Sequence, residues 1–502
     1  MTDRQAAECV RTRIDWKYAL GLDLADPGFD HSVLSEFRAR VVGGGLDQVV
    51  LDTLLERLAA DGLVGAGGKM RTDSTHVISA VRDLNRLELA GESVRACLEV
   101  LAVAAPQVVA QLLDDSWGKR YSARIDTWRM PASETKKAQL ALAYGRDGHT
   151  LLQAVHAAAG SDPGLALLAR LHQVEVLRVV LVQNYLAVED DQGREVIRRR
   201  EADAEGLPPG RSRITSPYDL DARWGVKRDT FWNGYKIHVT ETCDTSATAA
   251  DSSSDGEAVA PPHLITNVET TDATVPDNQM TEPLHARLAG RGLLPAEHYV
   301  DSGYPSAQLL VSSLASFGIA LVTPMLADTS PQARAGAGFD RTAFSIDFDT
   351  RQASCPQGHA SSSWNPVAQR GTDTIVITFA KRTCGPCPVR AQCTTSASGR
   401  RQLTVPPRDV HQAQLAARAA QTTKDFQARY ALRAGVEGTI RQGVAVTGMR
   451  HARYRGLART RLEHANAAVA VNLIRLHSWW NGHPLDRTRT SHLARLELAL
   501  AS

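Results

Sequence analysis

Between residues 231 and 243 the chain reads FWNGYKIHVTETC, which sets Tyr235, Ile237 and Val239 against Lys236, His238 and Thr240. Alternation with a period of two predicts a half-buried strand. HLITNVETT at 263–271 predicts a second strand. The polar, acidic DTSATAADSSSDGEAVAPP between them predicts a solvated loop, because it has too little apolar surface to offset the entropy of ordering. Downstream the pattern predicts a helix near 278–293, a strand EHYVD ending at Asp301, a helix near 306–316 and a strand GIALVTP. Upstream the period is helical. RQAAECVRTRIDWKYALGL, SVLSEFRARVV and LDQVVLDTLLERLAADGL predict helices over residues 1 to about 65. After the glycine-rich linker at 65–68, KMRTDSTHV reads as a short strand ending near Asp73, with a helix starting soon afterwards. From Val77 to about Arg200 the pattern is helical throughout, as in a packed insert.

KDFQARYALRAGVEGTIR, residues 424–441, predicts a helix on which Tyr430, Arg433, Glu437 and Arg441 share one narrow stripe. That stripe sets a carboxylate between two guanidinium groups. Taken alone, it reads as a solvated face held by ion pairs four residues apart, and only the rest of the chain turns it toward chemistry. Leu462 to Trp480 predicts an Ala-rich helix packed on the core, followed by a polar tail. The expected organisation is an N-terminal helical region at 1–66, with Arg11, Arg13, Trp16, Lys17 and Arg38 as candidate DNA contacts. An α/β core follows over 67–325, interrupted by a helical insertion at about 77–215. Then come a cysteine-rich insertion at 326–423, the helix and basic segment at 424–480, and the tail at 481–502.

A chain of 502 residues exceeds what one hydrophobic core usually serves, which fits several units. A net charge of only +2 excludes a globally basic nucleic-acid binder. Any such role must rest on local clusters such as Arg450, Arg453, Arg455, Arg459 and Arg461, interleaved with His451 and Tyr454. The N-terminus lacks an apolar signal core, and no apolar run is long enough to span a membrane, so a cytoplasmic protein is expected. Of the seven cysteines, Cys355, Cys384, Cys387 and Cys393 cluster, with C-x2-C spacing between the middle two. Four thiolates so spaced are suited to one tetrahedral ion, and predict a structural Zn²⁺ site with His359 as substitute ligand. The bland alternative is four unmetallated thiols in a small β module.

Asp301 ends a strand before Ser302 and Gly303, where α/β folds place functional groups or simply turn. Asp73 reads either as a functional carboxylate at a strand end or as punctuation before a helix. The whole succession is that of an α/β, ribonuclease H-like mixed sheet with two insertions: strand with Asp73, insert, two antiparallel strands, helix, strand with Asp301, helix, strand, insert, helix with Glu437. The chain resembles the DDE transposases of bacterial insertion sequences. The likeness is carried by RTDSTHV, SPYDLDARWGVKRDTFWNGYKIHVTET, HYVDSGY, the CPQGH and CGPCPVRAQC cysteines, YALRAGVEGTIRQGV and HARYRGLARTRLEHANAAVAVNLIRL.

The resemblance implies a catalytic triad of Asp73, Asp301 and Glu437 holding two Mg²⁺ or Mn²⁺ ions. Hard cations of this kind favour oxygen ligands and serve in-line displacement at phosphorus. It also implies nicking at an element's ends, attack of the freed 3′-hydroxyl on target double-stranded DNA, and a homodimer bridging two ends. Tyr430, Arg433 and Glu437 match the family's helix signature, but Val444 stands at the signature lysine. Arg441 is the candidate replacement in phosphate contact, joined by Arg450, Arg453 and Arg455. Relatives commonly carry an additional N-terminal segment, so the chain looks short at its head. The competing expectations are a catalytically impaired, end-binding remnant and a ribonuclease H-like nuclease that does not join strands. Asp221 is the reserve carboxylate.

Overall fold

The computed structural model describes residues 1–125, 130–227, 229–243 and 261–482, with 493, 496 and 500. The solvated loop expected between the two alternating strands, apart from its last two residues, and most of the expected tail lie outside the described residues.

A central strand, β1 (Lys69–Ile78), organises the sheet. The chain then leaves for the helical insert, whose main helices are Arg86–Ala104, Glu134–Ser161 and His172–Asn184. The insert is not helical throughout: it closes with an antiparallel hairpin, β2 (Tyr185–Glu189) and β3 (Glu195–Arg199). The chain returns through β4 (Arg223–Lys227), β5 (Thr230–Thr242), β6 (Ile265–Asp272), β7 (Glu297–Val300) and β8 (Ala320–Val322). The order across the sheet is β6-β5-β1-β7-β8, with β4 paired to the first half of β5. β5 and β6 run antiparallel to their neighbours, whereas β1, β7 and β8 are mutually parallel. This curled, mixed sheet among many helices fits a ribonuclease H-like protein.

Two features depart from the periodicity. β1 does not end near Asp73. It continues to Ile78 because each of its residues from Met70 onward pairs with β5, and the insert's first helix begins only after Asn85, whose side chain caps it. β5 is not half-buried either: His238 and Thr240, expected on a solvated face, are as fully buried as Tyr235. Helices lie over both faces of the sheet. From the N-terminal region, Leu51, Leu55 and Leu58 of Val49–Ala60 join Ala465, Ala468 and Val471 of Leu457–Trp480 in the main core.

The cysteine-rich stretch forms small sheets around its own core of Phe344, Ile377, Phe379, Leu403 and Val405. Cys355, Cys384 and Cys393 pack against that core as small apolar side chains. All four cysteines and His359 line one cavity of about 30 Å³. Among the described residues, however, no group of three or more His, Cys, Asp or Glu is arranged to hold a metal ion. The structural zinc site expected at Cys355, Cys384, Cys387 and Cys393 is therefore not supported. Burial pushes the Cys393 thiol up, with the other three cysteines adding to the shift and Arg401 opposing it.

Candidate active site

Register places the first two carboxylates. Thr72 pairs with Val300 across parallel β1 and β7, so the next residues, Asp73 and Asp301, stand abreast at the exit of β7. Asp73 is 8% exposed. Its Oδ1 accepts the Ser74 N–H at 2.7 Å and its Oδ2 accepts Arg433 Nη1 at 3.3 Å. Burial pushes its carboxyl above the ordinary range and the charge of Asp301 adds to that. The Ser74 N–H, Arg433 and Lys227 pull the other way. Asp301 is half-buried, and its Oδ1 accepts the Gly303 N–H at 2.8 Å.

The third carboxylate comes from a segment that is not one helix. Lys424–Tyr430 is followed by a 3-10 turn, Ala431–Ala434, and then by the helix Gly435–Thr447. The stripe expected on a single helix is therefore broken between Tyr430 and Glu437 by a tighter turn. Glu437 sits in the first turn of the second helix, where the dipole favours a carboxylate. Its side chain is 60% exposed and hydrogen-bonded to Arg433 Nη2. A single guanidinium thus spans Asp73 and Glu437.

The remaining candidates divide. Arg441 is exposed, as are Arg453 and Arg455, the last lying over the Tyr218 ring at 5.6 Å. Arg450 Nε donates to Thr75 Oγ1 at 3.0 Å, next to Asp73 on β1. Tyr430 stacks on Phe426 with centroids 5.6 Å apart. Asp221 is engaged elsewhere, accepting the Leu457 N–H at 2.8 Å at the start of the closing helix. Of the N-terminal cations, Lys17 is buried, with Nζ 2.5 Å from Asp26 O, and Arg38 pairs with Asp3. Neither is free to grip a DNA backbone.

Sequence reasoning missed Asp277. Its Oδ1 accepts Lys236 Nζ at 2.9 Å and its Oδ2 accepts Ser74 Oγ at 3.1 Å. A Cβ on Gly303 would meet Asp301 Oδ1 at 3.0 Å and Asp277 Oδ2 at 3.3 Å, so these two carboxylates flank one small residue. Burial opposes ionisation of Asp277, but Lys236 and the Ser74 hydroxyl hold its carboxyl below the ordinary range. In sequence it reads as a turn residue after Pro276, and only the depth of Lys236 on β5 would have betrayed it.

A curled mixed sheet of this order fits a ribonuclease H-like class of protein. Two family models match the chain: "Transposase DDE domain" over residues 354–477 and "Transposase domain (DUF772)" over residues 1–40. The two matches support an insertion-sequence DDE transposase. Glu437 falls inside the first match, whereas Asp73 and Asp301 lie between the two. No curated protein and no solved structure matches the chain. Among the described residues, no helix is long and apolar enough to cross a membrane.

Proposed function

We propose that the protein is a DNA transposase that cuts and joins strands at the ends of an insertion sequence, with Asp73, Asp301 and Glu437 as its catalytic carboxylates. The observation that carries this reading is the register of β1 on β7, which sets Asp73 beside Asp301, together with the Arg433 bridge from Asp73 to Glu437. The donor set suits Mg²⁺ or Mn²⁺ in kind, being hard oxygens, with the Asp73 carboxyl pushed up by burial and by Asp301 in a way that a bound cation would reverse; with Glu437 held by Arg433 the three carboxylates, like the cysteines, are not drawn together as a metal-holding group. Asp73 and Asp301 would hold the ions, with Glu437 joining them once Arg433 is drawn away. When bound, a pair of such ions activates the attacking oxygen and stabilises the leaving one in displacement at phosphorus.

The chain's own groups do the rest. Arg433 keeps the carboxylates from repelling one another before DNA arrives, and the same guanidinium is suited to a phosphate when it lets go. Arg441, Arg453 and Arg455 offer exposed cations to the backbone, and Arg450, through Thr75, sets such a cation beside Asp73. Two copies bridging two DNA ends, in the cytoplasm, complete the proposal.

The test is cleavage of a labelled duplex carrying the element's terminal repeat, with Mg²⁺ or Mn²⁺. Asp73→Asn, Asp301→Asn and Glu437→Gln should each lower nicking and joining at least about 10³-fold while retaining DNA binding. Undiminished cleavage in any variant removes that residue from the site. Hydrolysis without joined products points to a nuclease, and binding without nicking by the native chain points to an end-binding remnant.

A further inference from the structure

Beneath the segment that carries Glu437 lies a buried charge cluster to which the reading above gives no part. Glu241 of β5 is wholly buried. Its oxygens accept Arg71 Nε at 2.6 Å, Arg475 Nη1 at 2.7 Å and Thr439 Oγ1 at 2.5 Å. Both cations reach further. Arg71 Nη1 donates to Leu432 O at 2.7 Å, while Arg475 donates to Thr439 Oγ1 at 2.6 Å and to Gln442 Oε1 at 2.9 Å. One carboxylate therefore ties together β1, β5, the closing helix and both flanks of Glu437, from Leu432 to Gln442.

Stability does not account for such a cluster, because well-packed apolar residues of similar volume are often as stable or more so. Its value lies in geometry. Arg71 stands two residues before Asp73 on the same strand face. Gly435 stands two residues before Glu437, and a Cβ there would lie 2.0 Å from Arg71 Nη1. The guanidinium is thus a spacer laid directly between the strand of Asp73 and the first turn that bears Glu437, and Gly435 is the residue that admits it.

We propose that Glu241, acting through Arg71 and Arg475, is a positioning residue that sets Glu437 relative to Asp73. The proposal rests on the assignment of those two carboxylates to the DNA-cleaving site. It is tested in the full-length chain with Glu241→Gln and Thr439→Val, beside Asp301→Asn. The readouts are duplex cleavage, DNA affinity, melting temperature and hydrogen exchange.

Glu241→Gln should lower kcat about 10²-fold, with KM and DNA affinity within about twofold of the native values. Exchange should quicken in residues 432–442 and not in β6. Thr439→Val, which removes the helix's hydroxyl without unpairing an ion, should move kcat and exchange the same way, by less and with a smaller fall in melting temperature. It decides the matter if Glu241→Gln does not fold. Native kcat in folded variants overturns the proposal, as does faster exchange spread evenly over the sheet. If Asp301→Asn is inactive while Glu241→Gln and Thr439→Val cleave normally, only the positioning role fails. If Asp301→Asn cleaves normally, the site reading fails, and exchange over 432–442 still decides whether Glu241 holds that segment.

Discussion

The helical insert and the sheet it interrupts bury very different side chains. Leu101, Leu151, Val155 and Leu177 fill the insert, and its buried acids find partners nearby: Glu88 in Arg82 and the Asn85 N–H, Glu92 in Arg95, Tyr218 and the Ile125 N–H, and Asp147 in Tyr121 and Arg120. The sheet and the helices laid on it instead bury Glu241, His238, His285, His298, His464, Thr72 and Thr240. There Thr72 Oγ1 lies 2.6 Å from both Thr240 Oγ1 and His298 Nε2, and His298 Nδ1 lies 2.9 Å from His285 Nε2. Apolar packing holds a shape and tolerates exchange of one hydrocarbon for another. A buried polar chain holds particular atoms at particular distances, and is costly wherever a link is missing. The insert is built as a body, and the sheet is built to aim side chains.

That difference is open to attack most strongly by acid. Burial pushes His238, His285 and His464 down to about 4, and His298 well below its ordinary value. In the unfolded chain each returns to about 6.5. A depressed histidine pKa contributes stability that is complete above the unfolded value and is lost as pH falls toward the folded one, because the unfolded chain takes up protons that the fold refuses. On the order of 3 kcal/mol per histidine is at stake between pH 6.5 and 4. Urea unfolding followed by hydrogen exchange should show β5 and β6 opening before the helix Glu134–Ser161 as pH drops through this window. Simultaneous loss of both would break the comparison.

The converse experiment is Leu177→Ala in the insert. A fully buried leucine cut to alanine should destabilise the protein by about 2–5 kcal/mol, measured by denaturant unfolding. Cleavage per folded molecule should stay native. A matching loss of rate would mean that the insert also aims the site. The smallest effect belongs to exposed Arg441. Arg441→Ala should leave stability within about 0.5 kcal/mol and reduce the salt slope of DNA binding by about one. An unchanged slope would remove Arg441 from phosphate contact.

What could be read in the sequence follows the same division. Periodicity reported local amphipathicity, and so predicted the strands around Ile237, Val268 and Val300 and the long helices of the insert. It failed where distant partners decide. The run Asp73–Thr75 resembles a helix cap, yet pairing with Ile237–Val239 holds it in strand. Lys236 and His238 look like the wet side of β5 until Asp277 and Tyr304 cover them, while Glu241, a charge on the apolar side, is met by Arg71 and Arg475. The 3-10 turn at Ala431–Ala434 has no signature in the stripe, because Arg71, some 360 residues earlier, bonds to Leu432 and lies against Gly435. The hairpin β2–β3 was hidden by the helical pattern running into it. Four clustered cysteines announced a metal, and all four do line one cavity, but spacing along a chain does not fix whether thiols that meet stand as ligands.

The cluster at Glu241 also bears on how the molecule comes into being. Synthesis delivers Arg71 first, Glu241 later and Arg475 last of the three. A ribosome that stops before residue 475 releases a polypeptide with both aspartates and even Glu437, but without the second cation that Glu241 requires. On the proposed reading, Glu437 is therefore seated only after Arg475 has been made, and a fragment that stops short of it holds the three carboxylates without the full clamp that Glu241 forms.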